Sequence, residues 1–138
     1  MDIEFGDANA IDTQGTGWFL GFSPWTQAPG QGVRSLRHVP EAMPSTGLCM
    51  KWMRHPAGDP RGTGKPVSVG RTLSILVSEG GRFQLEFSER PDFPDDATER
   101  FVLERAGQFC AWGAGLYHRY AVDAECTILT LRWVPAGE

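Results

Sequence analysis

Three histidines, His38, His55 and His118, are the side chains of this 138-residue chain best suited to proton transfer or metal binding near neutral pH. His118 closes the stretch GQFCAWGAGLYHRY (residues 107–120), where three glycines precede a cluster of Tyr117, His118 and Tyr120. The pattern reads as strand, tight turn, strand. On an extended strand His118 shares a face with Leu116, Tyr120 and Val122. A histidine so placed serves as a general acid or base or as a metal ligand, or it is a hydrogen-bonded pocket residue without chemistry. Tyr120 and Glu86 are the other candidate proton-transfer groups.

His55 is the candidate second metal ligand beside His118; its alternative is a strand cap at the surface. Two histidines alone make a poor metal site. Catalytic zinc takes three protein ligands, and non-haem iron takes two histidines and a carboxylate. Glu86 or Asp59 would have to supply the third. The expectation is therefore a protein without a metal or other cofactor. His38, between Arg37 and Val39, reads as a surface-loop residue. Trp52, Phe83 and Trp112 are candidate aromatic walls of a pocket, with Arg54 and Gln84 as its polar groups, because ligand sites are mostly apolar with a few convergent polar groups. An inward-facing Arg54, Arg71 or Arg132 would suit a carboxylate or phosphate; outward-facing arginines paired with acidic loops are the simpler expectation.

The elements that must hold these residues are short strands. Seventeen glycines and ten prolines favour turns over long helices. GLCMKWMRH (47–55) suits a strand with Leu48, Met50, Trp52 and Arg54 on one face and Cys49, Lys51, Met53 and His55 on the other. Residues 56–70 carry prolines and glycines throughout and read as a long loop. RTLSILVSEGGRFQLEF (71–87) is a hairpin turning at SEGG. SERPDFPDDATE (88–99) is an acidic surface loop, RFVLERAG (100–107) a short strand, and ECTILTLRW (125–133) the last strand. Residues 1–16 read as a flexible arm or an edge segment, GWFLGFSPW (17–25) as a buried strand or a subunit contact, and 26–35 as loop. Frequent short strands imply an all-β sandwich or barrel in a single domain spanning residues 17–138.

GQFCAWGAGLYH resembles the second motif of the cupins, small jelly-roll β-barrels: Gly107, Gly115 and His118 fall at motif positions. Gly113 stands where the family usually has proline, and Val122 where it has asparagine. The first motif is degenerate. Gly80 or Gly81 matches its turn, but only His55, opposite Met53, stands for its histidine pair, and then only if the 56–70 loop is an insertion. The resemblance covers roughly residues 47–133. It implies a single-domain jelly-roll β-barrel with His118 at the barrel mouth and a small organic molecule as partner.

Bulk properties narrow the function classes. The net charge is −4 and the only lysines are Lys51 and Lys65, so no basic stripe exists to neutralise a nucleic-acid backbone. No apolar run approaches the ~20 residues of a membrane helix. Cys49, Cys110 and Cys126 form no CxxC pair and read as reduced thiols. A cytoplasmic location follows by default, and the apolar GWFLGF segment suggests a homodimer. Three functions remain: a small-molecule-binding protein with metal-independent acid/base chemistry (isomerase, lyase or cyclase type) at His118; a metal-dependent dioxygenase or isomerase using His55 and His118; and a non-enzymatic dimeric sensor or structural module.

Overall fold

A computed structural model describes residues 1–13, 15, 17–20 and 45–137. His38, the 26–35 loop and residues 21–25 of the first apolar run lie outside the described residues. Eight strands form two antiparallel sheets among these residues: β1 (Ile3–Asp7), β2 (Ser45–His55), β3 (Arg71–Leu76), β4 (Arg82–Ser88), β5 (Thr98–Leu103), β6 (Gln108–Trp112), β7 (Tyr117–Ala124) and β8 (Cys126–Pro135). One sheet has the order β1-β6-β3-β8-β2 and the other β5-β4-β7. The all-β expectation holds. Part of the expected N-terminal arm, Ile3–Asp7, is an edge strand paired with β6.

The main core lies between the sheets. Phe83, Leu85 and Phe87 of β4 face Leu76, Cys110, Trp112, Cys126 and Ile128 of the larger sheet. A second cluster covers that sheet's other face, where Leu73, Ile75, Phe109, Ala111 and Trp133 pack with Phe19, Leu20, Leu129 and Leu131. Sequestering both faces explains why β3 is buried along almost its whole length, as a central strand requires. It also decides which residues point inward. The larger sheet turns its alternating leucines away from β4 and presents its polar positions to the interior. Phe19 and Leu20, from the run expected to be a strand or subunit contact, pack on this chain's own sheet, while Trp18 is exposed.

The acidic loop and the last strand stand near their expected places, but the hairpin expected over 71–87 does not form. β3 and β4 flank the SEGG turn yet lie in different sheets, β3 between β6 and β8 and β4 between β5 and β7, so the turn carries the chain from one sheet to the other. The strand expected over 100–107 begins at Thr98 and ends at Leu103, and β6 begins at Gln108. Gly115 in the following turn has a φ of 84°, a conformation that favours glycine. At Gly113 a side chain would collide with the Arg71–Asp2 ion pair, which ties β1 to the start of β3.

Candidate functional site

A cavity of about 240 Å3 lies between the sheets. Its floor follows from strand register. Lys51 of β2 stands opposite Thr130 of β8, and Thr130 opposite Ser74 of β3. Arg132 of β8 stands opposite Thr72 of β3. With side chains alternating along each strand, these residues form two polar rows on the inward face, and all five line the cavity. The rows are tied across the strands: the Ser74 and Thr130 hydroxyls are 2.8 Å apart, and Arg132 Nε donates to Thr72 Oγ1 at 3.1 Å.

The opposite wall is aromatic. Phe83, Tyr120 and His118 come from β4 and β7 and line the cavity with Trp112 of β6. Phe83 stacks on Tyr120 with centroids 4.8 Å apart, and His118 lies 5.2 Å from the Trp112 ring. Stacking in this range adds to the burial of the rings. The loop expected at 56–70 contributes Lys65, Pro66, Val67 and Ser68, and the Lys65 ammonium sits 5.6 Å from the Tyr120 centroid.

The two cavity histidines differ. His55 is buried at the end of β2, and its Nδ1 lies 2.7 Å from Asp59 Oδ2. Asp59 caps the short 3-10 turn Pro60–Gly62 and accepts from the Arg61 backbone and guanidinium. The Arg61 bonds, helped by His55, hold the Asp59 carboxyl well below the usual range. An ionised carboxylate only accepts hydrogen bonds, so His55 Nδ1 carries the proton and, in the neutral ring, Nε2 has the free lone pair. Burial lowers the His55 pKa while Asp59 opposes that shift. Tyr120 Oη stands 3.4 Å from Asp59 Oδ2; burial, then the Asp59 charge, raises the phenol's pKa.

His118 has no such partner. Burial, reinforced by Arg132, Lys65 and Lys51, pushes its pKa down to about 4. Its Nδ1 is buried without a hydrogen bond, as is Trp112 Nε1. Buried polar atoms are ordinarily paired, so two unpaired ones beside one cavity mark positions a ligand can satisfy.

Of the sequence candidates, the structure brings His55, His118, Tyr120, Phe83 and Trp112 to the cavity. It does not bring Glu86, Gln84, Trp52 or Arg54. Glu86 lies on the outer face of β4 and pairs with Arg100 and Arg119. Gln84 donates to Asp123, and Arg54 pairs with Glu125 at 2.8 Å. Trp52 is 68% exposed, in a row with Leu48 and Met50. The reason is register: His55 and Lys51 point inward, so the alternate residues Trp52 and Arg54 must point outward. Sequence reasoning missed the two lysines and the hydroxyl rows. Their signal was the polar half of each alternation, Thr72 and Ser74 in RTLSIL and Thr130 and Arg132 in TILTLRW.

The donor set does not fit a metal. Among the described residues no group of three or more His, Cys, Asp or Glu side chains could hold an ion. The nearby carboxylate, Asp59, has both oxygens engaged by His55 and Arg61. Cys110 and Cys126 are buried, and burial pushes their thiols up, to about 11 for Cys126; Cys49 is exposed. Among the described residues no helix is long and apolar enough to cross a membrane. No family model matches the chain, and no curated protein matches it.

Proposed function

We propose that this protein is a cupin-type jelly roll that binds a small organic molecule between its sheets and moves a proton on it without a metal. The strand order supports the fold reading. A jelly roll interleaves its strands between two sheets as paired Greek keys, and β2 to β8 fall here into β6-β3-β8-β2 and β5-β4-β7. Among the described residues that arrangement leaves the second sheet one strand short of the eight-stranded form. His118 enters from the strand after the Gly-rich turn, as the resemblance implies.

The observation that carries the functional reading is the convergence of two imidazoles and a phenol, His55, His118 and Tyr120, on one cavity. His55, its tautomer fixed by Asp59, offers the Nε2 lone pair as the base, the arrangement by which a carboxylate orients an imidazole in general-base catalysis. Tyr120 is the neutral phenol that returns a proton or hydrogen-bonds a developing oxyanion. His118 stays neutral at physiological pH and supplies a hydrogen-bonding edge to the bound molecule. Isomerisation, elimination and ring closure are the reaction classes such groups serve.

The test is elemental analysis and native mass spectrometry of protein purified without a metal-affinity tag, followed by a small-molecule thermal-shift screen of wild type and His118→Ala. The expected result is no stoichiometric metal and a set of stabilising compounds whose effect is lost in the variant. One metal per chain, absent from His118→Ala, would return the reading to a metalloenzyme using His55 and His118. A screen with no stabilising compound would leave a closed sensor or structural module.

A further inference from the structure

Both lysines of the chain, Lys51 and Lys65, line the same cavity, and Arg132 lines it with them. No aspartate or glutamate is among the described residues of its lining. The concentration of positive charge runs against the chain's net charge of −4. Elsewhere among the described residues the arginines are neutralised locally: Arg54 by Glu125, Arg61 by Asp59, Arg82 by Glu104 and Asp123, and Arg119 by Glu86. Lys51, Lys65 and Arg132 have no carboxylate partner among the described residues. Arg132 spends its Nε on the Thr72 hydroxyl and keeps the rest of its donor fork. The charges oppose one another, since after burial it is Lys65 and Arg132 that lower the Lys51 pKa. Uncompensated like charges around a cavity cost stability unless an anion joins them.

The remaining wall defines the body of that anion. Phe83, Leu85, Trp112 and Ile128 make an apolar surface, and Trp112 Nε1 is a buried donor without a partner. The hydroxyls of Thr72, Ser74 and Thr130 stand beside the cations. The free volume suits a compact molecule.

Resting on the small-molecule reading above, we propose that the ligand is a small organic carboxylate: its carboxylate is held among Lys51, Lys65 and Arg132, and its apolar body lies against Phe83 and Trp112. Asp59 does not oppose it, being already paired with Arg61 and His55.

Calorimetric titration and thermal shift with matched pairs test this: benzoate against benzamide, pyruvate against pyruvamide, with inorganic phosphate as an anion lacking an apolar body. Lys51→Met and Lys65→Met are compared with wild type, each checked for fold by circular dichroism. The expected result is a carboxylate preferred over its amide by at least about tenfold, weakened by about tenfold in each variant. In wild type alone, binding weakens as salt rises from about 20 to about 300 mM, which needs no variant to fold. Amides binding as tightly as acids would overturn the anionic ligand while leaving a small-molecule site standing. Phosphate binding as tightly as the carboxylates would overturn the organic body. No binding of any carboxylate would also overturn the proposal, and only an empty broader screen besides would remove the small-molecule reading with it.

Discussion

His55 Nδ1 and Asp59 Oδ2 lie 2.7 Å apart, four residues along the chain, with the Asp59 side chain fully buried. One carboxylate thereby fixes an imidazole tautomer, caps the turn after β2 and neutralises Arg61. Asp59→Asn keeps the cap's oxygen but removes the charge. It should cost about 2–3 kcal/mol, below the full penalty for breaking a buried pair because Arg61 reaches solvent. Because Asp59 opposes the lowering of His55's pKa, the variant's imidazole should titrate at lower pH than the wild type's. Urea unfolding and NMR titration of the His55 ring read the two effects. An unchanged His55 titration would separate the pair.

His118 predicts an acid limb in stability. Its folded pKa is about 4 against 6.5 for the free side chain, so between those values the unfolded chain takes up a proton and the native protein does not. Stability from this group is full above about pH 6.5 and falls as pH drops toward about 4, by up to roughly 3 kcal/mol. His118→Phe should flatten that part of the curve. The remaining slope there belongs to His55, which shifts in the same direction, and toward the acid end to the carboxylates of Asp7, Asp59 and Glu86, whose pKa values folding lowers. Chemical denaturation at stepped pH on both proteins measures it; identical slopes would mean that His118 protonates freely in the native state.

Gly62 packs directly on β7. A Cβ there would strike the carbonyl oxygen of Tyr120, with the Tyr120 ring close behind. Backbone cannot yield as a side-chain tip can, so Gly62→Ala should cost about 1–3 kcal/mol. It should also displace Tyr120 from Phe83 and His55. A loss of stability without a change in the Tyr120 ring resonances would show that the turn gives way instead.

Ser68 joins the loop to the Gly-rich turn. Its Oγ donates to the Gly113 carbonyl at 2.7 Å and accepts from the Leu116 amide at 2.9 Å. Ser68→Ala leaves both groups buried and unpaired, at about 1–3 kcal/mol. Hydrogen exchange at the Leu116 amide should accelerate more than exchange in β3. Equal acceleration at both would mean global destabilisation without local release.

The all-β class, the strands on either side of SEGG and the inward His118 were legible because they rest on local signals: period-two alternation, SEGG at a turn, and glycines before a histidine. Sheet pairing was not, since β2 finds β8 across more than seventy residues. The choice of inward face was missed for the same reason. In GLCMKWMRH the two faces separate correctly, but Trp52 is the more apolar choice for a core than Lys51. Only the second cluster on the sheet's far side, built around Phe109 and Trp133, turns the polar face toward the cavity. Asp59 was visible as a carboxylate four residues after His55, yet its bond depends on the turn at Pro60, which composition alone presents as loop.

The segment 56–70 is long on paper and short in practice. The Gly58 amide is bonded to the Val122 carbonyl, Asp59 is locked by His55 and Arg61, and Ser68 exchanges backbone bonds with Leu116 and Gly115. What stays unfastened is the run from Thr63 to Val67. Lengthening a span of that size twofold adds only about 0.6 kcal/mol of closure entropy, whereas added residues before Gly62 would tear out the Asp59 cluster. The rim that carries Lys65 can therefore change its reach without rebuilding the sheets beneath it.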